Sequence, residues 1–142
     1  MGPSYLPLSF RFHVSMCGTL GVGGHLLQWT PDQHAEAAQW IALYKEIRHI
    51  IQFGDLYRPR SPQEQVFSAV QYVSKDRSES ILLAFRTHLP EPAPVSPLYL
   101  RGLDPNAMYM VEGVTGERSG LGWMHTGLFI ELQDFQSTVR RV

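Results

Sequence analysis

The chain has 142 residues, 44% of them hydrophobic and 18% charged, a composition typical of folded globular proteins that excludes an intrinsically disordered chain. Its formal net charge is −1, and its twelve Lys and Arg residues are scattered singly apart from Arg140 and Arg141. Because nucleic-acid binding requires a concentrated basic face, we expect no nucleic-acid partner.

Cysteine content and hydropathy indicate the cellular compartment of the protein. Cys17 is the only cysteine, so an intrachain disulfide and a thiolate metal cluster are excluded. Its apolar neighbours Val14 and Met16 favour a small buried side chain over a catalytic thiol. No apolar run of roughly 18 residues occurs, so we expect no membrane span. Residues 1–15 lack the basic start and apolar core of a signal peptide, and we therefore expect a cytoplasmic protein.

A glycine-rich stretch occupies residues 18–24, between two apolar segments. It suits a short buried strand followed by a tight strand-to-helix loop. Phosphate binding is the alternative interpretation, but the glycines match neither G-x-G-x-x-G nor a P-loop.

The residues after Gln28 begin the most strongly marked helix. Thr30 is a capping residue, Pro31 suits the first helical position, and Gln33 lies three residues after the cap. Gly54 supplies a stop, so the pattern predicts a helix from Pro31 to Phe53. Its apolar residues recur at spacings of three and four and form one broad stripe: Ala37, Trp40, Ile41, Tyr44, Ile47, Ile50 and Ile51.

From Arg58 onward the character of the chain changes, and no comparable helical stripe appears. Prolines punctuate this part: Pro59, Pro62, Pro90, Pro92, Pro94, Pro97 and Pro105. Short apolar segments separated by turn-forming residues predict six strands, over residues 66–73, 80–87, 98–101, 108–112, 128–132 and 137–142. Strands at this spacing indicate an antiparallel sandwich or barrel, with a boundary between Gly54 and Pro62.

The apolar stripe of the predicted helix needs a surface to cover it, since each large side chain is worth roughly 1.5–3 kcal/mol when buried. A single buried strand also needs neighbours for its backbone groups. We therefore interpret the N-terminal part as the last strand-and-helix unit of an α/β structure whose remainder is absent. An uncovered stripe would drive self-association, so we expect a homo-oligomer.

Several ordered blocks of the sequence resemble one known family. They are residues 10–21 (FRFHVSMCGTLG), 26–29 (LLQW), 40–47 (WIALYKEI), 54–58 (GDLYR), 69–76 (AVQYVSKD), 98–105 (LYLRGLDP), 124–128 (MHTGL) and 134–137 (DFQS). In this order they are similar to the end of the barrel and the C-terminal β-domain of bacterial glycoside hydrolase family 36 α-galactosidases (melibiases). The likeness spans nearly the whole chain.

The resemblance implies an α+β fragment. Residues 1–57 would be the C-terminal remnant of a (β/α)₈ catalytic barrel, and residues 58–142 a C-terminal antiparallel β-sandwich. Within the remnant, residues 6–16 would form the helix before the last barrel strand, residues 18–22 that strand, and Pro31–Phe53 the final barrel helix. Such enzymes hydrolyse terminal α-galactosyl bonds in melibiose and raffinose-type sugars with retention of configuration. The implied ligands are therefore α-galactosides, bound by the full-length parent.

The sequence has no carboxylate in the segment where a barrel enzyme would need its catalytic residues. Retaining glycosidases use two carboxyl groups about 5–5.5 Å apart, and in a barrel these lie at the C-terminal ends of strands. No Asp or Glu precedes Asp32, which is itself explained as a first-turn helix residue favoured by the helix dipole. The two catalytic aspartates of the family belong to segments upstream of residue 1. We therefore expect no catalytic residue in this chain and no activity from it alone.

Five residues are candidates for binding a sugar. Gly21, Gly23, Gly24 and His25 follow the expected barrel strand and are candidates for the rim of a sugar pocket, with a purely structural turn as the alternative. Trp123, beside a predicted turn, is the candidate sugar platform. The six histidines show no metal-binding spacing, so we expect no metal and no cofactor.

Two further hypotheses stay open beside the galactosidase fragment. The first is a non-catalytic β-sandwich module that binds carbohydrate or mediates assembly, which Trp123 and the strands around it motivate. The second is the product of a broken gene, with no role of its own.

Overall fold

The computed structural model describes residues 6–63, 66–88 and 94–142; Pro90 and Pro92, two of the punctuating prolines, lie outside these ranges. The helices are α1 (Leu8–Met16), α2 (Pro31–Phe53) and α3 (Gly120–Thr126), with a 3₁₀ turn at Leu26–Gln28. The strands are β1 (Asp55–Arg60), β2 (Phe67–Val73), β3 (Ser80–Arg86), β4 (Met108–Met110), β5 (Glu117–Ser119) and β6 (Ser137–Arg141).

Four antiparallel strands form the larger sheet, in the order β1-β2-β3-β6. The pairing of β2 with β3 is unbroken from Phe67↔Arg86 to Val73↔Ser80. Strands β4 and β5 form a separate antiparallel pair. The predicted strands 66–73, 80–87, 108–112 and 137–142 are therefore all present, with small differences at their ends.

Strand β3 is buried on both faces. Successive side chains of a strand point to opposite sides, and those of β3 enter two different hydrophobic cores. Ile81, Leu83 and Phe85 belong to a first hydrophobic core, which also contains apolar side chains of α1 and α2. Leu82 and Ala84 belong to a second core on the other face. The sheet is thus the middle layer of the protein.

Helix α2 has the bounds that the sequence predicts, and its start is fixed by a complete capping box. The backbone N–H of Gln33 donates to Thr30 Oγ1 at 3.2 Å, and the N–H of Thr30 donates to Gln33 Oε1 at 3.0 Å. These two bonds satisfy backbone donors that a helix start would otherwise leave unpaired.

The apolar stripe of α2 is covered within the same chain. Its residues pack against α1 and against the face of the sheet that β2 and β3 present. Ile47, at the centre of the stripe, is only 2% exposed. The stripe is therefore not left uncovered, so the expected homo-oligomer loses the observation that motivated it and stays a prediction.

The second core lies between the sheet and an irregular layer that contains the β4-β5 pair and α3. Its members are Phe67, Ala69, Leu82, Ala84, Leu98, Leu100, Leu103, Tyr109, Val111, Trp123, Leu128 and Ile130. This layer uses few regular strands, so it covers the sheet mostly with loops held by side-chain contacts.

Residues 18–22 form no strand, contrary to the prediction. No described strand pairs with them, and residues 18–23 make no backbone-to-backbone hydrogen bond to the described part of the chain. A strand exists only where neighbouring backbone groups complete its hydrogen bonds. The glycine-rich segment instead follows α1 as an irregular connection.

Two other predicted strands, 98–101 and 128–132, are reduced to a single bridge. Leu98 and Leu128 exchange two backbone hydrogen bonds of 2.8 Å each. The ladder does not extend past this bridge, and on one side of it Gly127 turns the chain with a φ of +78°.

Three elements were not predicted: β1, β5 and α3. Strand β1 falls in the stretch that was interpreted as a boundary, and it spans the predicted division between residues 57 and 58. Helix α3 is short, and Ser119 caps it by accepting a hydrogen bond from the N–H of Gly122 at 3.1 Å. Among the described helices, none combines the length and apolarity needed to cross a membrane.

Candidate functional site

A surface depression of about 180 Å³ lies between α1 and the glycine-rich segment. Gly21 and Gly23, two of the candidate rim residues, line it. Gly24 and His25 follow directly in the chain, and both are exposed outside the lining. The other lining residues are Leu8, Arg11, Phe12, Ser15, Leu20, Val22 and Trp29.

Two tyrosines hold the start of the glycine-rich segment against the first core. Tyr44 of α2 donates its hydroxyl proton to the carbonyl of Gly18 at 2.7 Å. Tyr72 of β2 donates to the carbonyl of Cys17, also at 2.7 Å. The path of the chain from α1 into the depression is therefore set by the helix and the sheet beneath it.

The depression offers hydrogen-bond donors and contains no acid. Arg11 is exposed and forms no salt bridge with any described residue. The lining residues include Ser15 and Trp29, and no Asp or Glu. The depression therefore lacks the carboxyl groups that retaining hydrolysis of a glycosidic bond needs.

Glu46 and Glu79 are two carboxylates that do share a depression, beside the end of β6. Its volume is about 50 Å³, far below the roughly 300–1,000 Å³ of small-molecule pockets. Glu46 pairs with Arg141, and Glu79 lies 3.5 Å from His49. Both side chains are about 60% exposed, at 61% and 59%, so this is a solvated surface cluster and not a sugar cleft.

Other described carboxylates have structural partners. Asp134 Oδ1 accepts from Arg86 Nε at 3.2 Å, and its Oδ2 lies 2.7 Å from His88 Nδ1. Asp76 accepts hydrogen bonds from the backbone and side chain of Ser78 and from the side chain of Ser74. These bonds lower the pKa of Asp76 to about 2, as expected for a carboxylate that caps a turn.

His13 is a buried titratable residue that the sequence analysis did not single out. It is 2% exposed, and its Nδ1 lies 2.7 Å from the hydroxyl of Ser137 on β6. Its ring meets that of Trp40 edge to face, with the centroids 4.5 Å apart. Its Nε2 has no hydrogen-bond partner among the described residues. In the sequence, His13 lies three residues from both Phe10 and Met16, on the same face of a helix. That spacing is the signal from which its burial could have been predicted.

Burial sets the protonation state of His13 and of Cys17. Desolvation lowers the pKa of His13 to about 4, against a smaller opposing effect of the Glu36 carboxylate. Desolvation also raises the pKa of the Cys17 thiol to about 11. The imidazole is therefore neutral and the thiol protonated near neutral pH, and neither group is prepared for acid–base or nucleophilic work.

Trp123, the candidate sugar platform, is fully buried, so the expectation that it is exposed is wrong. Its indole N–H donates to the carbonyl of Tyr109 at 3.0 Å, and the guanidinium of Arg118 lies 4.6 Å from its ring centroid. Neither face of the ring is free to stack on a sugar. The carbohydrate-binding alternative thereby loses the residue that motivated it.

Within residues 6–63, 66–88 and 94–142, no group of three His, Cys, Asp or Glu side chains is arranged to hold a metal ion.

Comparison with known proteins shows that the chain is a glycoside hydrolase sequence. Residues 67–142, more than half of the chain, match the glycosyl hydrolase family 36 C-terminal domain. The protein therefore belongs to glycoside hydrolase family 36, and the resemblance noted in the sequence is confirmed at the level of the family.

Individual relatives extend the match beyond that domain. Alpha-galactosidase AgaA of Geobacillus stearothermophilus is 36% identical over 137 residues, covering 95% of this chain and 19% of the relative. Probable alpha-galactosidase C of Aspergillus oryzae is 36% identical over 137 residues, covering 94% of this chain and 18% of the relative. The chain thus spans about a fifth of the length of these relatives, which include both bacterial and fungal proteins.

Solved structures show the same correspondence in three dimensions. The α-galactosidase AgaB of G. stearothermophilus superposes with a TM-score of 0.89 at 37% identity, covering 96% of this chain and 19% of that one. A variant of AgaA in complex with stachyose superposes with a TM-score of 0.90 at 35% identity, covering 99% and 20%. The predicted class, an α+β fragment with antiparallel sheets that corresponds to the C-terminal portion of these enzymes, is confirmed.

Proposed function

We propose that this chain serves as the C-terminal portion of an α-galactosidase that hydrolyses terminal α-galactosyl residues with retention of configuration. One observation carries the proposal: nearly the whole chain superposes on about a fifth of AgaA and AgaB, while its depression contains no carboxylate. Variants of AgaA are solved with raffinose and stachyose, so α-galactosides of this kind are the proposed substrates of the parent enzyme.

The order of helices and strands suggests a division of the chain into two parts. We assign residues 1–57 to the end of a (β/α)₈ barrel and residues 58–142 to the C-terminal antiparallel β-domain. The helix–connection–helix order of α1, the glycine-rich segment and α2 suits the end of such a barrel. Residues 18–23 make no backbone-to-backbone hydrogen bond to the described part of the chain, which suits a segment that completes its bonds with a neighbouring barrel strand.

In this proposal the chain shapes the substrate pocket and supplies none of its reacting groups. The two carboxyl groups that retaining hydrolysis requires would come from barrel strands outside these 142 residues. Gly21 and Gly23 would form part of the pocket floor, where the absence of a side chain lets a ligand approach the backbone. Gly24 and His25 would lie at its rim.

The origin and compartment of the parent are further parts of the proposal. A bacterial parent follows from the resemblance of the motifs to bacterial members of the family. A cytoplasmic location is supported by the presence of a single cysteine, which suits a reducing compartment.

A chimaera tests the function. The matched C-terminal portion of G. stearothermophilus AgaA is replaced by this chain, and release of galactose from raffinose is measured beside the truncated AgaA and this chain alone. We expect hydrolysis by the chimaera only. A folded chimaera without activity would count against the proposal, as would turnover by the isolated chain that a single substitution within it abolishes.

A further inference from the structure

A second surface depression, of about 630 Å³, lies beside the end of strand β3. Its volume falls within the roughly 300–1,000 Å³ of small-molecule pockets. It shares no lining residue with the depression beside α1. Five of its lining residues could contact a ligand through an aromatic ring or a polar group: Arg86, Phe129, Glu131, Gln133 and Gln136.

Phe129 presents an aromatic ring to solvent at one side of this depression. Its neighbours Leu128 and Ile130 are buried, so the ring points away from the second core, and Phe129 is 71% exposed. Tyr99, which is 48% exposed, lies on the same outward face. The bridge between Leu98 and Leu128 places Tyr99 diagonally across from Phe129. Two exposed rings therefore offer flat apolar surface at the edge of the depression.

The polar side chains of the depression offer donors and acceptors side by side. Glu131 and the side-chain amide of Gln133 make no hydrogen bond or ion pair within the described residues. Gln136 Oε1 accepts from the N–H of Gln133 at 2.9 Å, which leaves Gln136 Nε2 able to donate to a ligand. The charge of Arg86 is balanced by Asp134, whose Oδ1 lies 3.2 Å from Arg86 Nε.

The turn that carries the two glutamines has a strained backbone. Phe135 has a φ of +58°, a conformation that bulky side chains rarely adopt. The N–H of Gln136 donates to the carbonyl of Gln133 at 3.0 Å and closes the turn. Strain of this kind persists only where the surrounding structure enforces it, and it is concentrated at functional sites. Both glutamines therefore start from a fixed backbone, which lowers the entropy cost of binding a ligand.

This combination matches a neutral sugar better than it matches other ligand classes. One face of a pyranose ring carries C–H groups that pack on an aromatic ring, while its hydroxyls both donate and accept hydrogen bonds. A phosphate-like anion would be repelled by Glu131. No three metal-ligating side chains of the described residues are grouped to hold a cation. A purely apolar ligand would leave the polar side chains of the depression without partners.

We propose that Phe129, Glu131, Gln133 and Gln136 form a non-catalytic binding site for a neutral oligosaccharide. One sugar ring stacks on Phe129, and its hydroxyls bond to the carboxylate and the two amides. The choice of α-galactosides such as raffinose and stachyose as ligands rests on the proposed function. Among the described lining residues Glu131 is the only carboxylate, and retaining hydrolysis needs two, so the site holds a sugar without cleaving it.

An NMR titration of the full 142-residue chain tests the site. Stachyose is added at millimolar concentration, and the backbone amide signals are followed. We expect saturable shifts of the signals of residues 127–136. Glycerol, at the same concentration of hydroxyl groups, should leave these signals in place, because it has no ring face to stack on Phe129.

Two substitutions then isolate the contacts. Phe129→Ala should weaken stachyose binding about fivefold or more, the size expected when one aromatic partner is lost. Phe53→Ala, at the end of α2, removes a ring that is equally exposed, at 72%, and should leave binding unchanged. Glu131→Gln should weaken binding about threefold by removing a charge-assisted hydrogen bond, whereas Glu117→Gln, at an exposed position of β5, should not. The spectrum of each variant also reports whether it is folded.

Absence of stachyose-dependent shifts at residues 127–136 would overturn the inference, and so would equal binding by the Phe129→Ala chain. Shifts confined to residues 21–25 would place the sugar in the other depression and would overturn it as well. The chimaera experiment gives a separate answer about the proposed function. Phe129-dependent binding with an inactive chimaera supports the sugar site and not the enzyme assignment, while an active chimaera without binding at residues 127–136 does the reverse.

Discussion

The side chain of Gln71 holds the backbone of Arg101 at both of its hydrogen-bonding groups. Gln71 Nε2 donates to the carbonyl of Arg101 at 2.9 Å, and the N–H of Arg101 donates to Gln71 Oε1 at 2.8 Å. The same Nε2 donates to Ser80 Oγ at 2.9 Å, and Gln71 is completely buried. One strand residue thereby substitutes for a neighbouring strand and ties the irregular layer to the sheet.

Gln71→Leu should lower the free energy of unfolding by about 2 kcal/mol or more, because it leaves partly buried backbone groups of Arg101 without partners. Urea denaturation measures the change. Gln39→Leu, at an exposed position of α2, is the control and should change stability by less than about 0.5 kcal/mol. Equal effects of the two substitutions would show that the amide of Gln71 contributes no more than a surface side chain.

His13 should make the protein less stable in mild acid. Its pKa is lowered from 6.5 to about 4 in the folded state, so the unfolded chain takes up the proton first as the pH falls. The contribution of neutral His13 is fully present above pH 6.5 and is lost as the pH falls toward about 4, at a rate of up to about 1.4 kcal/mol per pH unit. His13→Phe should flatten this part of the curve of unfolding free energy against pH.

His49, which is exposed and lies 3.5 Å from Glu79, provides the matched control for that measurement. His49→Phe should leave the slope between pH 4 and pH 6.5 much as it is in the original chain. If His13→Phe preserves the slope as well, the acid sensitivity comes from other groups and the burial of His13 has no measurable linkage to folding.

Trp123→Ala should be among the most destabilising single substitutions, with a loss of about 3–5 kcal/mol, because it empties a fully buried site. Trp123→Phe should cost less, since it keeps most of the volume but leaves the carbonyl of Tyr109 without its indole donor. Phe129→Ala removes a side chain that is 71% exposed and serves as the control. Thermal unfolding of the three variants ranks them, and a Trp123→Ala protein as stable as Phe129→Ala would contradict the observed packing.

Gly102→Ala should destabilise the protein by two separate effects. Gly102 has a φ of +69°, and an added Cβ would lie 2.5 Å from the ring of Tyr57. Gly116 has a φ of +94° with no atom within 4 Å of an added Cβ, so Gly116→Ala should show the backbone cost alone, about 1 kcal/mol. A greater loss for Gly102→Ala measures the contact with Tyr57, and equal losses would mean that the ring moves aside without cost.

Elements set by short-range chemistry were predicted well from the sequence. The bounds of α2 follow from Thr30, Pro31 and Gln33 at one end and Gly54 at the other, all of which act within one or two turns. The apolar runs of β2 and β3 were equally clear. The unbroken apolar run of residues 81–85 is typical of a strand that is buried on both faces. It could not reveal which elements cover each face, because those elements lie far away in the sequence.

The errors share a physical cause, which is dependence on partners that are remote in sequence. Residues 18–22 have the composition of a buried strand but no described strand to pair with. Helix α3 contains Gly120 and Gly122, both poor helix formers, and it forms because Ser119 caps it and Trp123 anchors it in the second core. The same glycines made Trp123 look like a turn residue, and so the candidate sugar platform was misplaced.

Gly54 joins α2 to β1 at a position where the backbone is closely packed. A Cβ atom added there would lie 2.4 Å from the carbonyl oxygen of Ile50 and 2.6 Å from that of Val73. Helix and sheet are therefore fused at this joint instead of being tethered by a flexible hinge. Any movement of the sheet at this joint would therefore be transmitted to α2 and, through the first core, to α1.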